Sequence, residues 1–313
     1  MTTREGSSDG NGFVDRRQEL ARLHERLEAA LSGKGQVCFV VGQAGSGKTA
    51  LVRHFVEQAF AAHEDVVLAA GTGNAQTGAG DPFLPFREAL AMLTGDTSSR
   101  KAAAGVAVEN DRRLRTVLVR SVQVLVEVAP ELIGVFVPFG KLFGEFGKAI
   151  ADKAGWLDRL DAAAKKQGLV ATGAASQVEQ ARIFEQFTRF VQELSAEAPL
   201  ILFLDDLQWA DGASLNLFFH LARHIESHRV LLIGSYRAND VALGRDGARH
   251  PLEPVVNELI RYYGDISIDL DTLSDEANRR FVTALLDAEP NCLGKDFYPV
   301  SYTHLTLPTN REV

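Results

Sequence analysis

The sequence predicts an α/β fold, a three-layer sandwich with a mainly parallel sheet of about five strands covered by helices on both faces. Two patterns carry this expectation. Continuous apolar runs such as Val37-Cys38-Phe39-Val40-Val41 and Leu200-Ile201-Leu202-Phe203-Leu204 lack the alternation of a half-exposed strand, which marks strands buried on both faces. Between such runs lie segments whose apolar residues recur at three- and four-residue spacing, the mark of amphipathic helices.

Residues 1–12 are polar and rich in Gly and Ser, a disordered tail by composition and not a secretion signal. Leu20, Leu23, Leu27 and Leu31 predict a helix from Asp15 to Leu31, stopped at Ser32-Gly33-Lys34-Gly35. Gln36 to Val41 is the first strand, and a glycine-rich loop follows it. Leu51, Val52, Phe55, Val56, Ala59 and Phe60 then mark one face of a helix, and Val66 to Ala70 reads as a second buried strand ending at Gly71.

From Gly71 the regular alternation lapses. A loop to Gly80, a short helix over Pro82 to Leu93, and helical stretches at Leu114 to Val128 and within Leu142 to Leu160 predict a helical insertion, about residues 95–175. Regularity returns with the helical face Ile183, Phe184, Phe187, Phe190, Val191 and Leu194. Pro199 to Leu204 is a strand, Leu215, Phe218, Leu221 and Ile225 mark a helix, and Val230 to Gly234 is another strand. Asp265 to Leu270 is a fifth candidate strand, and Ser274 is suited to cap a helix reaching Leu286.

Hydrophobic residues at 46% and charged residues at 24% exclude a globally disordered chain. A net charge of −8 gives phosphate backbones little to attract, so nucleic acid is not an expected partner. The two cysteines, Cys38 and Cys292, form no disulfide framework, which suits a reducing cytoplasm. Leu132 to Phe146 is interrupted by Pro138, Lys141 and Glu145 and is too short to span a bilayer, so no membrane association is expected. That stretch is either a partner-binding surface or the contact that packs the insertion onto the core.

The loop Gly42-Gln43-Ala44-Gly45-Ser46-Gly47-Lys48-Thr49 is a complete G-x-x-x-x-G-K-[ST] string. A buried strand enters it and an amphipathic helix beginning near Ala50 leaves it, the context of a P-loop. Its glycines let backbone N–H groups converge on phosphate oxygens, and the helix adds its positive end. The expected ligands are ATP or ADP with Mg²⁺, Lys48 pairing with the β- and γ-phosphates and the Thr49 hydroxyl ligating the metal.

Leu200 to Asp206 has the form of a Walker B strand. It lifts Asp205 to the sheet edge to hold Mg²⁺, and sets Asp206 to orient or deprotonate an attacking water. Val230 to Arg237 repeats that geometry and delivers Arg237 to the same edge, where a guanidinium reads a γ-phosphate or forms a strand-end salt bridge. His220, His224 and His228 share one helix face. Without companion cysteines or carboxylates, they read as a solvated or partner-facing stripe and not as metal ligands.

Taken in order, Phe13-Val14-Asp15-Arg16-Arg17-Gln18-Glu19-Leu20, the P-loop, Leu204-Asp205-Asp206-Leu207-Gln208-Trp209-Ala210-Asp211 and Gly234-Ser235-Tyr236-Arg237 resemble the STAND class of AAA-related ATPases. The nearest likeness is to the bacterial type fused to cyclase, tetratricopeptide or LuxR-type domains. The resemblance implies an ATPase domain over residues 13–270, followed by the start of a helical lid over 271–298. It implies that Phe13 and Val14 line the adenine pocket, that Arg16 lies near the nucleotide, and that Arg237 is the sensor arginine. Asp15 stands where the N-terminal box usually has glycine. ATP versus ADP would then switch the domain between states, with slow hydrolysis and with effector or sensor domains and other proteins as partners. Trp209 and Asp211 would link Walker B to the next helix, although Trp209 reads more simply as a partly buried ring packing that helix.

Two other readings fit the same motifs: a DNA-associated AAA ATPase of the origin-binding or transposition-helper kind, and a scaffold that holds ADP without turnover. From Pro299 to Thr309 the string resembles the frame translation of a sequencing-library transposase adapter. Residues 299–313 are therefore expected to be non-native, with the lid and any fused domain cut short near Tyr298.

Overall fold

The computed structural model describes residues 16–74, 82–95, 107–136, 177–244 and 248–271. Within them the apolar runs become β1 (Gln36–Val41), β2 (Val67–Thr72), β3 (Leu200–Asp205), β4 (Val230–Tyr236) and β5 (Ser267–Asp269). They form one sheet in the order β2-β3-β4-β1-β5, with every pairing parallel. All six residues of β3 are buried, and in β1 only Gln36 is not. Burial without alternation means that both faces of the sheet are covered.

Parallel strands need crossovers, and the helices supply them. They are α1 (Arg17–Leu31), α2 (Lys48–Ala62), α3 (Leu84–Leu93), α4 (Ala107–Val128), α5 (Pro130–Phe136), α6 (Gln177–Glu197), α7 (Gly212–Ala222), α8 (Ala238–Leu243) and α9 (Leu252–Tyr263). In α1 the buried residues Leu20, Leu23, Leu27 and Ala30 form one stripe, and the helix packs on β1, β4 and α2. Parallel pairing brings the C-terminal ends of β1, β3 and β4 to one edge of the sheet. Val41 pairs with Tyr236, Gly234 with Leu204, and Asp205 with Thr72.

The insertion expected after the second strand is helical in its described part, and its helix α4 seals a sheet edge together with the preceding α3. β2 is that edge, and its outward N–H groups fall on alternate residues. Leu68 N–H donates to Asn110 Oδ1 and Asn110 Nδ2 donates to Leu68 O, both at 3.1 Å. Ala70 N–H points to Met92 Sδ at 3.4 Å, and Thr72 N–H donates to Glu88 Oε2 at 2.8 Å. α3 docks so closely that a Cβ on Gly71 would meet Pro85 O at 1.8 Å, so only glycine fits there.

Arg113 of α4 ties down the far end of α2. Its guanidinium stacks on Phe60 at 4.3 Å and donates to the carbonyls of Phe60 (2.7 Å) and Val66 (3.2 Å). Asn110→Leu is expected to cost about 3 kcal/mol, because it leaves a buried N–H and a buried carbonyl without partners. Urea unfolding measures this, and a change below about 1 kcal/mol would mean that the edge does not need its cover.

Leu132, Ile133 and Phe136 are buried. The Phe136 ring packs 5.4 Å from Phe83 and 5.7 Å from Phe187. The described part of the Leu132 to Phe146 stretch thus packs the insertion onto the core, and residues 137–146 lie outside the described residues. So do the N-terminal tail, the helix expected after Ser274 and residues 299–313. His220 and His224 are stacked at 4.2 Å between centroids, with Phe184 at 5.7 Å from His220. No helix among the described residues is long and apolar enough to cross a membrane.

Candidate functional site

β1 ends at Val41 and α2 begins at Lys48, so the Gly42–Gly47 loop lies at the C-terminal edge of an inner strand. Gly45 and Gly47 sit at φ 80° and 90°, a conformation that a Cβ would strain. The first turn of α2 holds no acidic residue, and Gly47 makes no side-chain cap. The first-turn amides of Lys48, Thr49 and Ala50 have no carbonyl four residues back within the helix, so this end is positive and suited to an anion. The Ser46 hydroxyl, inside the loop, is buried and has no hydrogen-bond partner among the described residues.

Lys48 is buried at the root of the loop, where its ammonium donates to the carbonyls of Gly42 (2.8 Å) and Gln43 (2.9 Å). Burial lowers its pKa. Asp206, Asp205 and Asp271 counter that shift, while Arg237 adds to it.

The Thr49 hydroxyl donates to Asp205 Oδ2 at 2.7 Å, joining the P-loop to the end of β3. Asp205 is buried, and burial raises its pKa. Hydrogen bonds from Ser235 and Thr49 pull it back, the neighbouring Asp206 pushes it up, and the Asp206 N–H lowers it again. A hydroxyl and a carboxylate oxygen in contact are the donor types that a hard divalent cation takes, so the pair fits Mg²⁺.

The chain turns sharply after Asp205. Asp206 has φ 54° and ψ 46°, a left-handed backbone that Asp tolerates better than most residues. Its N–H donates to Asp205 Oδ1 at 3.1 Å and to Ser235 Oγ at 3.0 Å, which fixes the turn against β4. The Asp206 carboxylate lies 3.9 Å from Arg237 Nε, and Arg237 Nη1 lies 3.8 Å from the Asp240 carboxylate. A carboxylate carried on a left-handed backbone and held next to a cation at a sheet edge is a reason to look for chemistry there.

The model of the AAA ATPase domain family matches residues 12–233. The chain belongs to that family. It is a nucleotide-binding ATPase module of the P-loop type, and the parallel sheet agrees with the assignment. The family match ends within β4, so Arg237 lies beyond it and rests on geometry alone. No curated protein matches the chain.

In this AAA ATPase domain, Lys48, Thr49, Asp205, Asp206 and Arg237 meet at one edge, as the motifs predict. Phe13 and Val14 lie outside the described residues. Arg16 donates to Leu270 O at 3.0 Å and pairs with Glu19 at 3.1 Å. Leu270 N–H in turn donates to Val41 O at 2.8 Å, so Arg16 is anchored to the segment that flanks the P-loop.

Asp211 caps α7 through Ser214 N–H at 2.9 Å and accepts from Phe83 N–H at 3.1 Å. It therefore links Walker B to the start of α3 as well as to the next helix. Trp209 is half-buried on the turn between them.

Three residues were not assigned from the motifs. Ser235, buried, donates to Asp205 Oδ1. Asp271 accepts from Gln43 N–H through both oxygens at 3.1 Å. Gln208 lies almost fully buried between Asp206 and Arg237. Ser235 and Gln208 stand inside strings that the sequence displays, but nothing in their spacing tells a buried polar partner from a surface one.

Proposed function

We propose that this AAA ATPase domain is a regulatory module of the STAND class that binds ATP with Mg²⁺, hydrolyses it slowly and uses ATP versus ADP as a conformational switch. The observation that carries the reading is the meeting of an anion-binding loop, a Thr49–Asp205 pair and an Asp206–Arg237 pair at one sheet edge.

In this reading the loop from Gly42 to Thr49, with the Ala50 amide, holds the phosphates, and Lys48 exchanges its loop carbonyls for β- and γ-phosphate oxygens. Thr49 and Asp205 hold Mg²⁺, which would neutralise charge on those phosphates. Asp206 orients the water and accepts its proton, while Arg237 contacts the γ-phosphate and so distinguishes ATP from ADP. Phe13 and Val14 face adenine, with Arg16 near them. The partners are effector or sensor domains and other proteins.

Nucleotide extraction from purified protein, combined with a phosphate-release assay, tests the reading. Slow Mg²⁺-dependent release is expected, on the order of one turnover per minute or slower, within the range of intrinsic switch ATPases and GTPases. Tightly held ADP that never exchanges, with no phosphate released, would favour the scaffold reading. Release stimulated only by DNA would favour a DNA-associated ATPase.

A further inference from the structure

We infer that Gln208 is a positioning residue, one buried amide that couples the Asp206 carboxylate to Arg237; this rests on the ATPase reading above. Gln208 lies in the 3₁₀ turn Leu207–Trp209 and is 1% exposed. Its Nε2 donates to Asp206 Oδ1 at 2.8 Å, and its Oε1 accepts the backbone N–H of Arg237 at 3.2 Å. A single planar amide therefore spans the carboxylate and the first residue after β4. Among the described residues the Arg237 guanidinium makes only long ion pairs, at 3.9 Å to Asp206 and 3.8 Å to Asp240, so the backbone tether sets where that side chain starts.

The tether is itself held. His250, 1% exposed, has Nε2 at 2.9 Å from the Gln208 carbonyl, and its Nδ1 accepts the Leu252 N–H at 3.1 Å. An Nδ1 that accepts leaves the proton on Nε2, so His250 donates to Gln208 as a neutral ring. A chain of hydrogen bonds thus runs from Asp206 through Gln208 and His250 to the first turn of α9. Both contacts of the Asp206 carboxylate among the described residues fall on Oδ1. With Oδ1 pinned, the orientation of Oδ2 is fixed, which is what a base that aims one water needs. An apolar residue at 208 would fill the same space and leave Asp206 free to rotate about its side-chain torsions.

The test compares Gln208→Leu and Gln208→Glu with wild type for steady-state ATP hydrolysis, ATP·Mg²⁺ affinity and melting temperature. The glutamate variant keeps an acceptor for Arg237 N–H and removes the donor to Asp206. Both variants are expected to lose roughly 10- to 100-fold in kcat, with Kd changed less than about threefold. In an Asp206→Asn background, Gln208→Leu is expected to add no further loss, because the residue acts through the carboxylate.

Wild-type turnover in both variants overturns the inference. So does an equal loss in the Asp206→Asn background, or a loss that follows melting temperature and Kd. A wild-type protein without turnover removes the ATPase reading and this inference together. Normal wild-type turnover with unaffected Gln208 variants removes only the positioning role.

Discussion

Lys48→Ala is expected to weaken ATP·Mg²⁺ binding by about 2–5 kcal/mol, or roughly thirty- to several-thousand-fold in Kd. The ammonium is buried and already held by two loop carbonyls, so in the complex it meets the phosphates with little ordering left to do. Its removal also strips a buried cation from the root of a loop near Asp205, Asp206 and Asp271, and those carboxylates then repel the incoming anion. Calorimetric titration measures the effect, and a melt recorded by circular dichroism checks that the variant is folded. Near-normal affinity in a folded variant would show that the phosphates bind elsewhere.

The second large effect falls on turnover. Asp206→Asn is expected to lower kcat about 10²- to 10⁴-fold while leaving Kd nearly unchanged, because a general base acts in the transition state and not in ground-state binding. Asparagine is the fitting replacement: it tolerates the left-handed backbone at φ 54° and keeps an oxygen for Gln208 Nε2. A β-branched residue there would unfold the turn and confuse the outcome. Single-turnover hydrolysis with bound ATP separates the chemical step from release, and a variant that cleaves at the wild-type rate would move the base to another residue.

The sheet was legible because four of its strands, β1 to β4, are buried on both faces. A run such as Leu200 to Leu204 has no competing reading once it ends in two aspartates, and Gly42 to Thr49 announces both a turn and a helix start. Burial of polar residues was not legible. The expected helix at Leu114 begins at Ala107, because Asn110 and Arg113 look solvent-facing in sequence but face the β2 edge and the end of α2.

The same blindness hid Ser235 and Gln208, whose side chains face other motifs across long stretches of chain. Asp271 had no signal at all, since its contact with Gln43 N–H depends on where β5 ends. The expected histidine stripe does not form: the helix ends at Ala222, so only His220 lies on it, and His224 and His228 fall in the turns that follow. His220 and His224 still stack on one another, and burial with repulsion from His224 lowers the pKa of His220.

The central claim is that the γ-phosphate changes the state of this domain, and Trp209 offers a direct readout because it stands next to Gln208 on the turn between Asp206 and α7. In an Asp206→Asn, Trp156→Phe protein, where ATP persists and Trp209 is the sole tryptophan, its fluorescence is to be compared with saturating ATP·Mg²⁺ and with saturating ADP·Mg²⁺. The account predicts two distinct spectra, with the difference abolished by Arg237→Ala. Identical spectra at saturation, with both nucleotides bound, would contradict it.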